Sequence, residues 1–110
     1  MAYIRNTDQK QSPITIGKKW DKGAIYIGRG SPLGNPFVMK GTSQEERDRV
    51  CDAYIVWFNA KIHDHDSEVL GELSRIYLLA KKQPIILGCF CSPKRCHGET
   101  IKAFLDTYLN

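Results

Sequence analysis

The sequence predicts an α/β fold, a compact Rossmann-like sandwich in which a small parallel or mixed sheet is flanked by about three helices. Three observations predict it. Residues 1–40 set short β-branched or aromatic stretches between glycines and prolines. Residues 43–82 carry two apolar stripes at helical spacing. The nearly all-apolar run Pro84–Cys91 follows, and then one more amphipathic stretch. With 110 residues, two independent cores would each bury too little surface, so residues 1–110 read as a single α/β domain.

Ile14-Thr15-Ile16 and Ala24-Ile25-Tyr26-Ile27 have the β-branched and aromatic composition of strands, and Phe37-Val38-Met39 is a further short candidate. Ser43, with Glu46 three residues on, fits a capping box and opens a helix. Val50, Tyr54, Trp57, Phe58 and Ile62 form its apolar stripe. The mixed charges of Glu45-Glu46-Arg47-Asp48-Arg49 read as a solvated face. His63-Asp64-His65-Asp66 reads as a hydrated capping loop rather than a metal cluster. A second helix starts at Asp66 or Ser67, buries Val69, Leu73, Ile76, Tyr77 and Ala80, and stops before Pro84. The run 84–91 has the composition of a strand buried on both faces. The last helix runs from His97 or Glu99 to about Leu109, with Ile101, Phe104, Leu105, Tyr108 and Leu109 as its apolar stripe. Trp57 belongs to the core, whereas Trp20 sits among turns and suits a surface contact.

Composition excludes several classes. At 42% hydrophobic and 25% charged residues, the chain is neither a disordered tail, a fibrous repeat nor a coiled coil. No apolar run approaches the roughly 20 residues that span a bilayer. Met1–Asn6 lacks the apolar segment of a secretory signal, so the expected compartment is the cytoplasm and no membrane partner is expected. The formal charge of +4 is carried in pairs such as Lys18-Lys19, Lys81-Lys82 and Lys94-Arg95, with acids between them. A duplex binder gathers many cations on one face, so a local anionic ligand is expected rather than a long nucleic acid. A two-fold homodimer is compatible with the sequence, which does not demand one.

Two segments carry candidate chemistry. Gly28-Arg29-Gly30-Ser31-Pro32-Leu33-Gly34-Asn35-Pro36-Phe37 directly follows a strand. Its glycines let a ligand approach the backbone. Arg29 can hold a phosphate or carboxylate bidentately, and Ser31 and Asn35 add polar groups. Leu33 stands where a dinucleotide fingerprint would carry its third glycine, so a structured turn with purely geometric glycines competes with a binding loop.

The second segment is Cys89-Phe90-Cys91-Ser92-Pro93-Lys94-Arg95-Cys96-His97-Gly98-Glu99-Thr100, where the buried strand gives way to a helix. Ligands of open α/β sheets gather at such carboxyl ends, and the backbone N–H groups of a helix start favour an anion. Four cysteines with no export signal read as reduced thiols. A zinc set of Cys89, Cys91, Cys96 and His97 has suitable ligand types, but adjacent Cys96 and His97 rarely address one ion. Cys96 as a thiolate activated by Arg95, His97 and the helix end is a second reading. Cysteines packed as small apolar residues beside a polar ligand site is the third.

These two segments resemble a family of small phage and bacterial proteins catalogued as a domain of unknown function. Its members carry a loop like Ile27–Phe37 and an element like Leu87-Gly88-Cys89-Phe90-Cys91-Ser92-Pro93 followed by Cys96-His97-Gly98-Glu99. They often have an aromatic residue where Leu33 stands, Trp at the place of Phe90 and Asp at the place of Glu99. The resemblance spans about Ala24 to Leu105. It implies a shared site and a phage or bacterial cytoplasmic setting, the host cytoplasm for a phage protein, and it names no chemistry.

The expected function is binding of a nucleotide or other phosphorylated small molecule. Gly28, Arg29, Gly30, Ser31, Asn35, Arg95 and Gly98 are the candidate ligand residues. As an enzyme, the protein would act as a nucleotide N-glycosidase-type hydrolase, with Glu99 and His97 for acid–base work and Cys96 as nucleophile in a covalent variant. Two alternatives stand beside it: a non-catalytic binder that sequesters a host nucleotide signal, and a zinc-stabilised nucleic-acid-binding module. No cofactor is expected apart from zinc in that last case.

Overall fold

A computed structural model describes residues 12–89 and 94–109. In chain order the elements are β1 (Ile14–Lys18), β2 (Ile25–Tyr26), α1 (Gln44–His63), α2 (Ser67–Lys82), β3 (Ile85–Cys89) and α3 (Gly98–Leu109). The three strands form one parallel sheet in the order β1-β3-β2. Ile14 lies opposite Ile85 and Lys18 opposite Cys89; Ile25 lies opposite Leu87 and Tyr26 opposite Gly88. Lys19 N–H donates to the Cys89 carbonyl at 3.2 Å and Ile27 N–H to the Gly88 carbonyl at 3.1 Å, carrying both ladders past the strand ends.

The central place of β3 explains its apolar run. Ile85, Leu87, Gly88 and Cys89 are buried because neighbours flank the strand on both sides. Between β1 and β2 the chain turns at Asp21, whose carboxylate accepts from Lys18 N–H at 2.8 Å and whose carbonyl accepts from Ala24 N–H at 3.0 Å.

Helix ends follow their capping chemistry. Ser43 caps α1, its hydroxyl accepting from Glu46 N–H at 3.1 Å. The reciprocal half of a capping box does not form, because the Glu46 carboxylate accepts from Lys40 N–H at 2.7 Å and pairs with Arg49. Those donors, the Arg49 guanidinium first, hold Glu46 well below the usual carboxylate range, at about 2. Asp66 caps α2 by accepting from Val69 N–H at 3.0 Å, and His65 takes a left-handed φ of 57° in the turn between the helices. The His63–Asp66 segment is thus an interhelical capping loop.

α3 lies against β1 and β3, α2 packs on α3, and α1 packs on α2. Tyr54, Phe58, Ile76, Leu87, Ile101 and Leu105 are among the side chains sealed in the shared core. Phe58 meets Phe104 edge-on with centroids 5.4 Å apart. Trp57 is half-buried against the core, and Trp20 is exposed beneath the Lys18 ammonium. Among the described residues no helix is long and apolar enough to cross a membrane.

Two expectations need correction. Phe37-Val38-Met39 is not a strand. β preference is realised only beside a partner strand, and here side chains occupy the backbone: Phe37 N–H donates to Asn35 Oδ1 at 2.9 Å, and Arg49 donates to the Val38 carbonyl at 3.0 Å. The charged start of α1 is not wholly a solvated face either, since Arg47 is buried. The expected continuation of β3 through Phe90 and Cys91 lies outside the described residues.

Candidate functional site

The loop after β2 is fastened to itself and to α1. Ser31 donates through both its N–H and its hydroxyl to the Gly28 carbonyl, at 3.0 and 2.7 Å, and Gly34 N–H donates to the Ser31 carbonyl at 3.0 Å. A Cβ on Gly34 would lie 2.4 Å from the Gly28 oxygen, so only glycine lets the loop close on itself here. Tyr54 reaches from α1 to donate to the buried Leu33 carbonyl at 2.7 Å. Asn35 donates to the Val50 carbonyl at 3.1 Å. The Tyr26 hydroxyl donates to the Arg29 carbonyl at 2.8 Å. The Arg29 side chain projects from this framework, exposed and without an ion pair among the described residues.

The start of α3 meets that loop through His97. Its Nε2 lies 2.6 Å from the Ile27 carbonyl oxygen. A carbonyl only accepts, so Nε2 carries the proton and Nδ1 the lone pair. The Tyr54 ring stands edge-on to the imidazole, centroids 4.9 Å apart. Burial pushes the His97 pKa down, with the Ile27 carbonyl partly opposing, so the ring is neutral at pH 7. Burial, reinforced by Cys96, also pushes the Tyr54 phenol well up. Gly98 is packed so closely that a Cβ there would meet Ile27 Cδ1 at 2.9 Å. The Cys89 and Cys96 sulfurs are 2.9 Å apart, and Gly98 N–H donates to Cys96 Sγ at 3.3 Å.

These pieces enclose a cleft of about 330 Å³ whose wall includes Gly28, Arg29, Asn35, Arg95, Cys96 and His97. A neighbouring cavity of about 430 Å³ opens between α1 and α3 and takes Glu99 and Thr100 into its wall. Arg95, Cys51 and Cys96 border both. Gly30, Ser31 and Gly98 lie outside the cleft wall, and Glu99 faces only the neighbouring cavity. Arg95 donates to Asp48 at 3.0 Å and to Asp52 at 2.9 Å. Those hydrogen bonds, Asp52 first, raise the already high Arg95 pKa, and Arg95 in turn lowers that of Asp48. Its charge is thereby matched by α1.

A family model described as a domain of unknown function, DUF4326, matches residues 13–107. The chain belongs to that family. The matched span takes in every strand and helix but the last two residues of α3 in the DUF4326 domain, and both loop segments. No curated protein and no solved structure matches the chain.

One residue of the DUF4326 cleft escapes the sequence reading. Arg47 is only 8% exposed and lines the cleft with Arg29. Its guanidinium makes one long contact, 3.5 Å to the Arg95 carbonyl, and pairs with no carboxylate among the described residues. The signal was present in the spacing: Arg47, Val50, Cys51, Tyr54 and Phe58 fall on one helical stripe, which places Arg47 at its first turn. Among the described residues no group of three or more metal-ligating side chains converges. Cys91 of the alternative zinc set lies outside the described residues.

Proposed function

We propose that this cleft binds a nucleotide or another small phosphorylated molecule, held by Arg29 and Arg47. The observation that carries the reading is the buried Arg47 guanidinium. Burying a cation without an anion costs several kcal/mol in real proteins, and a phosphate supplies the missing charge together with planar bidentate geometry. Arg29 adds a second cation at the rim. The cleft volume of about 330 Å³ suits a small ligand and not a long polymer. The fold reads as Rossmann-like on this view, since the ligand would lie outside the carboxyl ends of parallel strands.

Thermal shift and calorimetry with inorganic phosphate, pyrophosphate and nucleoside mono- and diphosphates test the reading. At least one phosphorylated compound raises the melting temperature of the wild-type chain, and the Arg29→Ala/Arg47→Met double variant loses the response. No response of the wild type to any of them at millimolar concentration would overturn it.

A specific observation favours binding without turnover over an N-glycosidase. Glu99 faces the neighbouring cavity, and the protonated nitrogen of His97 is engaged by Ile27. Mass spectrometry of a stoichiometric mixture separates the two: unchanged ligand recovered after heat release means sequestration, and a base separated from its sugar means hydrolysis.

A further inference from the structure

We propose that Cys89 and Cys96 form an oxidisable dithiol in the cleft wall, converted to a disulfide by hydrogen peroxide. The inference stands independently of which ligand the cleft takes. Cys89 ends β3 and Cys96 lies just before α3, so two separate elements bring the sulfurs to 2.9 Å. A disulfide has a sulfur separation of about 2.05 Å, so bond formation needs an approach of roughly 0.9 Å. Both side chains are buried, 1% and 3% exposed, yet both line the cleft, which admits a molecule as small as peroxide.

Cys96 Sγ lies against the Cys89 thiol and also accepts from Gly98 N–H at 3.3 Å. Attack is by a thiolate: with Cys96 as the attacking sulfur, it takes a peroxide oxygen, the O–O bond breaks, and a sulfenic acid and hydroxide form. Cys89 then attacks the sulfenic sulfur, a second hydroxide leaves, and the protons of the two thiols complete two waters. The thiols give up two electrons and two protons, and the peroxide takes them.

Cys51 is also buried, and its thiol contacts the Arg95 carbonyl at 3.9 Å. Trypsin puts Cys51, Cys96 and the Cys89/Cys91 pair on three peptides, and fragmentation separates Cys89 from Cys91. Residues 83–94 carry Cys89 and Cys91, residues 96–102 carry Cys96, and residues 50–61 carry Cys51.

The test is peroxide treatment of the full native chain, intact mass, then alkylation in denaturant and tryptic mapping with fragmentation. The expected result is an intact mass about 2 Da below that of the reduced chain, restored by dithiothreitol, and after alkylation a Cys89–Cys96 cross-link with Cys51 alkylated. Cys51→Ser retains the cross-link and Cys96→Ser abolishes the mass loss. Oxygen addition at Cys96 without a cross-link, or a cross-link running through Cys51 or Cys91 in the wild type, overturns the proposal. The wild-type map decides even where a variant does not fold.

Discussion

The imidazole of His97 donates to the carbonyl of Ile27 at 2.6 Å, fastening the amino end of α3 to the residue that leads into the Arg29 loop. Because both groups are buried, losing the donor leaves a carbonyl without its partner, at a cost of about 1–3 kcal/mol. His97→Ala is expected to lower stability in urea unfolding by that order. It is also expected to weaken phosphate binding, because the Arg29 loop loses its tether. An unchanged midpoint in urea would remove the tether.

The same burial sets a pH dependence. The folded-state pKa of His97 lies below its ordinary 6.5, so between those two values the unfolded chain binds a proton that the folded chain does not. Stability therefore rises with pH across that window and is lost as pH falls below about 6.5. Urea midpoints of the wild type are expected to drop between about pH 7 and pH 5.5, and His97→Gln is expected to flatten that segment.

Arg47 yields a prediction of opposite sign in two states. Without ligand, Arg47→Met removes a buried cation that has no carboxylate in ion-pair contact among the described residues, and keeps the apolar stem. The unliganded variant is expected to be at least as stable as the wild type. With pyrophosphate the order reverses, because the wild type gains the larger ligand stabilisation, about 2.7 kcal/mol at a hundredfold excess over Kd. Melting curves with and without pyrophosphate read both.

The turn at Gly34 also brings backbone against backbone. A methyl group there would sit 2.4 Å from the Gly28 oxygen and 3.1 Å from the Arg29 Cα. Backbone cannot swing aside as a flexible side chain does, so Gly34→Ala is expected to cost about 1–3 kcal/mol or more. It is also expected to displace Arg29, which calorimetry would read as weakened pyrophosphate binding.

Helix identities, the capping residues Ser43 and Asp66 and the buried central strand were legible because each rests on local chemistry or on periodicity. Phe37–Met39 was misread because a strand needs a neighbour, and composition does not show that the nearest groups are Asn35 and Arg49. Arg47 was missed because a charged cluster hid its place on the Val50–Tyr54 stripe. The pairing of Arg95 with Asp48 and Asp52, and the division of Glu99 from His97 between two cavities, depend on how α1 lies beside α3. No short-range pattern encodes that placement.

The strand order has a consequence for synthesis. β1 and β2 do not pair with each other, and both wait for β3 between them. As the chain leaves a ribosome, its earliest strands emerge with no hydrogen-bonding neighbour until residues 85–89 follow. Assembly of the sheet is thus a late, long-range event, and a chain cut short before position 85 would have helices but nothing to join its two outer strands.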